Sequence, residues 1–207
     1  MRPDELFEEI KRTQYIKTGD SVDYAVKVYD DEKRIRLLFQ ESDGNADWRN
    51  NLDFPIKPYK NQENTLWFAK GWALAYKSAN EEIMYKLINA INYHPDYDVE
   101  VCGWSYGGAI ALLAVEDLHY RTGIKSIVTT FGGPKPLFGK KTKDYILSCC
   151  KEVNQYCHKN DIVPTLPPFI GYEMAKKVSV GKWKPFGKLN PWKWHTIYGD
   201  KTLYDKL

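Results

Sequence analysis

The sequence predicts an α/β fold with a mostly parallel central sheet and helices on both faces. The chain has 207 residues, 43% of them hydrophobic, which is enough for one domain with a sizeable core. From residue 99 onward, short apolar runs alternate with helical segments, the order typical of a parallel sheet. One of these helical segments is apolar on nearly every side and therefore requires burial. We expect residues 1–207 to form a single domain.

The first half of the chain combines helices with a hairpin. Residues 3–16 are predicted to be helical, because Leu6, Phe7 and Ile10 have helical spacing and acidic residues occupy the first turn. Residues 41–60 are rich in turn-forming residues. The other predicted elements are strands at Tyr24–Tyr29 and Ile35–Phe39, joined by a polar turn, and a helix at about Lys70–Asn92 that Pro95 terminates.

The second half shows the strand–helix alternation. Residues 164–194 are rich in Pro, Gly and Trp, and we expect them to be mostly irregular. The predicted elements before them are strands at Val99–Cys102, Ser126–Phe131 and Val153–Cys157, and helices at about Tyr106–Tyr120 and Lys141–Cys150.

Composition excludes several classes of protein. With 28% charged and 14% aromatic residues, the chain is neither disordered nor collagen-like nor a coiled coil. No run approaches 18 apolar residues, so no membrane-spanning helix is expected. Acidic residues stand at the start, where a signal peptide is apolar, and four cysteines are unevenly spaced. We expect a cytoplasmic location, with secretion after processing as the open alternative.

The segment Gly103-Trp104-Ser105-Tyr106-Gly107 matches the pattern G-x-S-x-G between a strand and a helix. A serine at the tip of such a turn has a strained backbone, and the residues two before and two after it approach each other closely. Glycine at both positions avoids the clash. The pattern predicts that Ser105 is a nucleophile, although the pentapeptide without its context also fits an ordinary turn.

A serine nucleophile needs a base and an orienting carboxylate, which follow it in the order Ser, Asp or Glu, His. Of the four histidines, His195 alone satisfies this order well. Asp161 follows a predicted strand and so lies at the same sheet edge as Ser105, where open α/β sheets place their active sites. The rejected candidates were His94, His119 and His158, the last interpreted as a strand-end histidine with a structural hydrogen bond, and the helical acids Asp117 and Asp144.

Five short sequence motifs follow one another along about residues 35–195, and they include the segments of Ser105 and Asp161. The motifs are Leu37-Leu38-Phe39-Gln40-Glu41-Ser42 followed by Asp47-Trp48, Lys70-Gly71-Trp72-Ala73-Leu74-Ala75-Tyr76, Gly103–Ala109, Thr130-Phe131-Gly132-Gly133-Pro134, and Asn160-Asp161-Ile162-Val163-Pro164.

Together these motifs resemble those of the class 3 lipases, the family of the filamentous-fungal triacylglycerol lipases. The resemblance implies an α/β-hydrolase fold and ester hydrolysis, with Ser105, Asp161 and His195 as the catalytic triad. It also implies an oxyanion hole formed by Ser42 and by the backbone N–H of Tyr106. Glu41 and Trp104 depart from the family pattern, where glycine and histidine are usual.

In this family a short helix after the oxyanion residue serves as a lid, which the resemblance assigns to about residues 43–53. That segment is very polar, with Trp48 and Leu52 as its large apolar groups. We therefore expect a small or fixed flap and a preference for shorter esters. Trp48, Trp104 and Trp194 are assigned to substrate binding. Further candidates for the acyl and alcohol pockets are Leu66, Trp67, Phe68, Phe169, Ile170 and Trp192.

Charge is unevenly distributed. Residues 1–104 carry 14 basic and 19 acidic side chains, a net charge of −5, whereas residues 105–207 carry a net charge of +8. Lysines alternate with aromatic residues in Lys182–Lys188 and Trp192–Trp194, a pattern that favours transient contact with an anionic lipid surface. Nucleic-acid binding is disfavoured by the hydrolase pattern. Neither a metal-ligand cluster nor a phosphate-binding loop is present, so no cofactor is expected.

The sequence thus predicts a serine hydrolase that cleaves carboxylic esters of lipids through an acyl-enzyme. A phospholipase A1-type activity on anionic phospholipid is the nearest alternative, because of the basic C-terminal half. A non-catalytic lipid-binding domain with the same fold is a third hypothesis.

Overall fold

The structure is a computed structural model that describes residues 1–18, 22–40, 56–60, 65–185 and 190–205. Its helices are α1 (Pro3–Arg12), α2 (Lys70–Tyr93), α3 (Tyr106–Thr122), α4 (Lys140–Ser148) and α5 (Pro191–His195). Its strands are β1 (Ile16–Lys17), β2 (Asp23–Tyr29), β3 (Arg34–Phe39), β4 (Ile56–Lys60), β5 (Thr65–Ala69), β6 (Asp98–Trp104), β7 (Ser126–Phe131), β8 (Leu137–Phe138), β9 (Cys150–His158), β10 (Tyr172–Glu173) and β11 (Lys177–Val180).

A central sheet contains seven of the described strands in the order β1-β2-β3-β6-β7-β9-β11. The strands from β3 to β11 run parallel, and the β2–β3 hairpin adds an antiparallel edge. The prediction of a mostly parallel sheet is confirmed. Parallel pairing brings the carboxyl ends of β6, β7 and β9 to one edge, where functional groups of open α/β sheets gather.

Alternation along the strands divides the core between the two faces of the sheet. Leu37 and Val101 belong to the cluster that contains α2 and α3, whereas Leu38 and Cys102 belong to the cluster that contains α1. Successive strand side chains point to opposite faces, so neighbours in sequence enter different layers. The predicted helices on both faces are confirmed.

Helix α1 covers its face of the sheet through Phe7. This side chain is fully buried and contacts the rings of Trp104, Phe131 and Tyr198 at centroid distances of 5.2, 5.3 and 5.7 Å. These four residues are far apart in sequence. Phe7 therefore joins α1, the sheet and the C-terminal segment in one aromatic cluster.

A buried ion network also holds α1 to the sheet. The guanidinium of Arg36, 1% exposed, lies 2.9 Å from Glu100 and 3.4 Å from Glu9 and pairs with Glu32. Glu100 also accepts hydrogen bonds from Arg34 and Thr129. A charge that is buried so completely is tolerated only where such partners surround it.

A second, small antiparallel sheet was not predicted. Its order is β10-β8-β5-β4, and Phe68 of β5 pairs with Leu137 of β8. Leu66 and Phe68 are buried in the same cluster as Leu37 and Val101, so this sheet shares the core of the central one. Its strands are short, and β5, β8 and β10 pair across long stretches of sequence, which periodicity alone does not detect.

Two predicted boundaries were wrong. Helix α1 ends at Arg12, not near Ile16, because the chain turns at Thr13 into β1. Helix α4 ends at Ser148, and Cys150 already starts β9. The described residues of segment 164–194 are mostly irregular, as predicted, but they include β10, β11 and most of α5. Strand β11 forms because it completes the parallel edge beside β9.

Candidate active site

Ser105 occupies the turn between β6 and α3, with φ 55° and ψ −123°. A positive φ is strained for a residue with a side chain, at a cost of about 1–3 kcal/mol. The turn is held by hydrogen bonds from Ser105 N to Phe131 O and from Gly108 N to Ser105 O, at 2.9 and 3.0 Å. The strain is the feature that the G-x-S-x-G pattern predicts for a nucleophile at a strand end.

The glycines of the pattern are required by close approach. A Cβ atom on Gly103 would lie 2.2 Å from Gly107 O, and one on Gly107 would lie 2.6 Å from the carbonyl oxygens of Phe39 and Gln40. Both contacts are with backbone atoms, which cannot move aside. The sharp turn therefore needs glycine at both positions, as the sequence predicted.

Asp161 and His195 meet at the same edge of the sheet. His195 Nδ1 lies 2.9 Å from Asp161 Oδ2, and both side chains are almost fully buried. A carboxylate only accepts hydrogen bonds, so Nδ1 carries the proton and Nε2 is the basic nitrogen. This is the tautomer that a general base facing a hydroxyl requires.

Three donors surround the buried Asp161 carboxylate. Oδ1 accepts from Val163 N at 3.0 Å, and Oδ2 accepts from Tyr198 Oη at 2.7 Å as well as from His195. Burial, and then the charge of Asp161, raises the pKa of Tyr198 well above its ordinary value. The phenol therefore keeps its proton and remains a donor. Hydrogen bonds of this kind offset the cost of burying a carboxylate.

Trp104, the residue that directly precedes Ser105, contacts His195. Its Nε1–H donates to His195 O at 3.2 Å, and the two rings have a centroid distance of 5.8 Å. Ser105 Oγ is buried and makes no hydrogen bond within the described residues.

Gly132 lies next to the Asp161–His195 pair. Its φ is +56°, and a Cβ atom there would lie 2.8 Å from Asp161 Oδ2 and 2.9 Å from His195 Nδ1. The turn after β7 therefore approaches the two side chains as closely as a backbone can. No side chain is compatible with this position and the observed pair.

The proposed oxyanion hole is described in part. Tyr106 is the first residue of α3, so its backbone N–H lies at the helix end where the dipole favours negative charge. Ser42 lies outside the described residues, as do Trp48 and the lid at 43–53. Gln40, the last described residue before Ser42, packs against Gly107, so the chain leaves β3 beside the turn that carries Ser105.

Trp194 and Trp104 have contacts within the protein. Trp194 is 6% exposed and stacks on His158, and Trp104 contacts His195. Their assignment to substrate binding stays a prediction. Of the other pocket candidates, Leu66 and Phe68 are buried core residues, whereas Trp67, Phe169, Ile170 and Trp192 are exposed.

The rejected candidates have structural partners. Asp117 accepts from Tyr76, Asn80 and Arg121, and His119 Nδ1 lies 3.1 Å from Ile124 O. His158 ends β9, and its Nδ1 accepts a hydrogen bond from Asn160 N at 3.1 Å. The interpretation of His158 as a strand-end histidine with a structural hydrogen bond is confirmed.

Sequence reasoning missed Tyr198 and the spatial role of Gly132. Tyr198 follows His195 by three residues, but α5 ends at His195 and Tyr198 lies in the next short turn, Ile197–Gly199, so the spacing is not a helical signal. Gly132 was noted only as part of a motif. Its contact with residues 161 and 195 depends on the fold and has no local signal.

No group of three or more His, Cys, Asp or Glu side chains in the described part of the chain is arranged to hold a metal ion. Nor does any helix described here have the length and apolar character needed to cross a membrane.

Comparison with known proteins identifies the family. The model of the family "Lipase (class 3)" matches residues 37–171, which is more than half of the chain. The chain belongs to the class 3 lipase family. The matched segment contains Ser105 and Asp161, while His195 and Tyr198 follow it.

Curated lipases and solved structures resemble this member of the family over most of its length. It is 32% identical to the Rhizomucor miehei lipase and 31% identical to the Rhizopus oryzae lipase, each over 146 residues and 67% of this chain. The Rhizomucor miehei lipase propeptide complex superposes with a TM-score of 0.72 and 26% identity, covering 82% of this chain and 56% of that one. A Penicillium cyclopium structure at 20% identity and a TM-score of 0.71, covering 82% of this chain and 62% of that one, shares the fold.

One solved neighbour is a triacylglycerol lipase whose catalytic centre is a serine protease triad, with a TM-score of 0.70 and 26% identity, covering 83% of this chain and 68% of that one. The α/β-hydrolase fold expected for this class 3 lipase is confirmed by these neighbours. The chain covers 39% of the Rhizomucor miehei lipase and 36% of the Rhizopus oryzae lipase, so it spans less than half of the length of these relatives.

Proposed function

We propose that this class 3 lipase hydrolyses carboxylic esters of lipids, with Ser105 as nucleophile, His195 as general base and Asp161 as orienting acid. The observation that carries the proposal is the buried Asp161–His195 pair, held at 2.9 Å and attached through Trp104 to the strained turn of Ser105. Curated relatives at 31–32% identity are named lipases. The proposal also treats residues 1–207 as one domain, which the core shared by the two sheets supports.

The reaction follows from the proton positions. His195 Nε2 takes the Ser105 hydroxyl proton as Oγ attacks the acyl carbon, and the carbonyl oxygen becomes an alkoxide. The alkoxide is stabilised by the Tyr106 N–H and by Ser42, and each such donor contributes about 3–4 kcal/mol. The intermediate collapses, His195 donates the proton to the departing alcohol, and water repeats the sequence on the acyl-enzyme.

Burial sets a condition on substrate entry. Ser105 is 0% and His195 1% exposed, so neighbouring groups must move before an ester reaches Oγ. The polar composition of residues 43–53 supports a small flap and shorter acyl chains. A series of p-nitrophenyl esters from acetate to palmitate tests this, and a preference for palmitate would overturn it.

The nucleophile is tested with p-nitrophenyl butyrate. Ser105→Ala is expected to lose activity by about 10⁴-fold or more. The matched control is Ser126→Ala, since Ser126 is also fully buried and its Oγ also makes no hydrogen bond within the described residues. Equal rates for the native protein and Ser105→Ala would remove the enzyme assignment and favour a non-catalytic lipid-binding domain.

A second candidate, hydrolysis of anionic phospholipid, is favoured by one surface. Trp183 and Trp192 are 62% and 48% exposed, and Lys184 and Lys193 each place Nζ 5.4 Å from the ring centroid of Trp194. The two exposed tryptophans and the two lysines form the Trp–Lys surface, and one of its rings, that of Trp192, lies 6.1 Å from the His195 ring. Exposed aromatic rings and ammonium groups together suit the boundary of an anionic lipid layer. We propose that this surface makes transient contact with such a layer.

Vesicle experiments test the lipid contact. Trp183→Ala/Trp192→Ala is expected to reduce co-sedimentation with phosphatidylglycerol vesicles. The control is Tyr93→Ala, which removes an even more exposed aromatic ring, 84% exposed, at the end of α2. Binding that is as strong to neutral phosphatidylcholine would contradict the charge argument. Relative rates on triglyceride and on phosphatidylglycerol vesicles separate lipase from phospholipase A1-type activity.

We infer a reducing, cytoplasmic location. All four cysteines are free thiols, including the adjacent Cys149 and Cys150. Burial raises the pKa of Cys149 to about 11 and that of Cys150 to about 12, so both resist oxidation as thiols. Fractionation of the source cells tests the location, and recovery of the protein in the medium would overturn it.

A further inference from the structure

His158 contacts Trp194, the neighbour of His195, and Tyr198, which donates to Asp161. It is 3% exposed, and its ring lies flat on the indole of Trp194, with a centroid distance of 4.7 Å and an interplanar angle of 5°. Trp194 immediately precedes His195. The backbone of His158 is also engaged, since its N–H donates to Tyr198 Oη at 2.9 Å and its carbonyl accepts from Asp161 N at 3.0 Å.

The ring of His158 is confined and is bonded as a neutral imidazole. Nδ1 accepts from Asn160 N, so the proton of the neutral ring is on Nε2. A Cβ atom on Gly181 would lie 2.3 Å from both Cδ2 and Nε2 of the ring. The imidazole therefore lies in a slot whose walls include Gly181 and Trp194. A proton added to Nδ1 would face the Asn160 N–H and break this hydrogen bond.

The charges around the slot oppose a cationic ring. Burial lowers the pKa of His158; the carboxylate of Asp161 acts in the opposite direction, and the ammonium groups of Lys184 and Lys159 lower it again. Lys184 and Lys193 already lie over the Trp194 ring, so a charged His158 would be the third cation on that ring. Tyr198 keeps its phenolic proton and adds no charge.

We propose that His158 is a positioning residue for His195: its neutral ring, stacked on Trp194, holds the segment that carries the general base, and protonation of the ring releases that segment. Acid then lowers the activity through His158, because the protonated ring no longer orients His195. This proposal rests on the proposed function for its activity test, and a second measurement is independent of it.

The activity test compares pH profiles. For the wild type, log kcat/KM for p-nitrophenyl butyrate is expected to fall as the pH decreases below 6.5, and to fall more steeply than for His158→Asn. His158→Asn keeps an acceptor near the Nδ1 position but does not titrate, and it is expected to be severalfold slower at pH 8. The matched control is His94→Asn, which removes an imidazole that lies 4.8 Å from the Tyr97 ring, outside the site. Equal slopes for the wild type and His158→Asn would overturn the proposal.

The independent test is spectroscopic and uses the inactive Ser105→Ala protein. Protonation of an imidazole in contact with an indole quenches its fluorescence. The emission of Trp194 is the difference between the spectra of Ser105→Ala and of Ser105→Ala/Trp194→Phe. We expect this difference to decrease in a one-proton step below pH 6.5. A constant Trp194 emission between pH 8 and pH 5 would overturn the proposal whether or not the protein hydrolyses esters. If the emission titrates but the native protein hydrolyses no ester, the proposed function fails and the histidine–tryptophan switch remains.

Discussion

Tyr198 donates a 2.7 Å hydrogen bond to Asp161 Oδ2, the oxygen that also faces His195 Nδ1. The phenol therefore fixes the carboxylate that fixes the imidazole. Because its oxygen also accepts from His158 N, a single side chain joins β9, the loop of Asp161 and the C-terminal segment.

Replacement of Tyr198 by Phe is expected to lower kcat by about tenfold with little change in KM, because the carboxylate gains freedom to turn from His195. It also leaves the buried His158 N–H without its acceptor, at a cost of about 1–3 kcal/mol in stability. Steady-state kinetics and urea unfolding measure the two effects. Tyr15→Phe removes a phenol that donates to Ile10 O, away from the site, and should change stability without changing kcat. A Tyr198→Phe enzyme with wild-type kcat would contradict the assigned role.

Gly132→Ala is expected to lower kcat by at least 100-fold, since the new methyl group would overlap both Asp161 Oδ2 and His195 Nδ1. Gly123→Ala is the matched control. Gly123 also has a positive φ, +71°, but nothing lies within 4 Å of the position of its Cβ. Both variants lose about 1 kcal/mol or more from backbone strain, and only the first should lose activity. If both retain full activity, the pair tolerates displacement and the geometric argument is wrong.

Trp104→Phe keeps an aromatic ring but removes the N–H that donates to His195 O. We expect kcat for p-nitrophenyl butyrate to fall by about three- to tenfold, because a donor that holds the general base is lost. An unchanged KM would separate positioning from substrate binding, the role that the sequence predicted for this residue. A raised KM with wild-type kcat would restore the original prediction.

Glu100→Ala is expected to destabilise the fold by about 3–5 kcal/mol, because it leaves the buried Arg36 guanidinium and Arg34 without their common partner. Urea unfolding measures the loss. Asp144→Ala removes the partner of Lys140 in an exposed pair and should change stability by no more than about 0.5 kcal/mol. Equal effects of the two variants would show that the buried network contributes no more than a surface pair.

Stability should fall as the pH falls below 6.5. The pKa of His158 is lower in the folded protein than its ordinary value of 6.5, so the unfolded chain binds more protons in this range. The contribution is present above pH 6.5 and is lost as the pH falls through the folded-state pKa. His158→Asn should show a smaller decrease in unfolding free energy between pH 8 and pH 5, and an identical decrease would contradict the assignment.

The sequence predicted the central elements of the fold and of the site because both leave local patterns. Small residues around Ser105 report a turn, and the order of Ser105, Asp161 and His195 follows from strand-end placement. Strand β11 was not predicted, although polar and apolar residues alternate in Lys177–Val180, because the segment around it is rich in Pro, Gly and Trp. Tyr198, Gly132 and the His158–Trp194 stack depend on contacts between segments distant in sequence, which no local pattern encodes.

The aromatic cluster around Phe7 has a practical consequence. This residue of α1 packs on Trp104, which holds His195, and on Tyr198, which holds Asp161. A fusion tag or truncation that lifts the N-terminal helix from the sheet would loosen both supports at once, although it touches no reacting group. Changes at that end of the chain, ordinarily regarded as harmless in protein production, would here disturb the proposed catalytic centre.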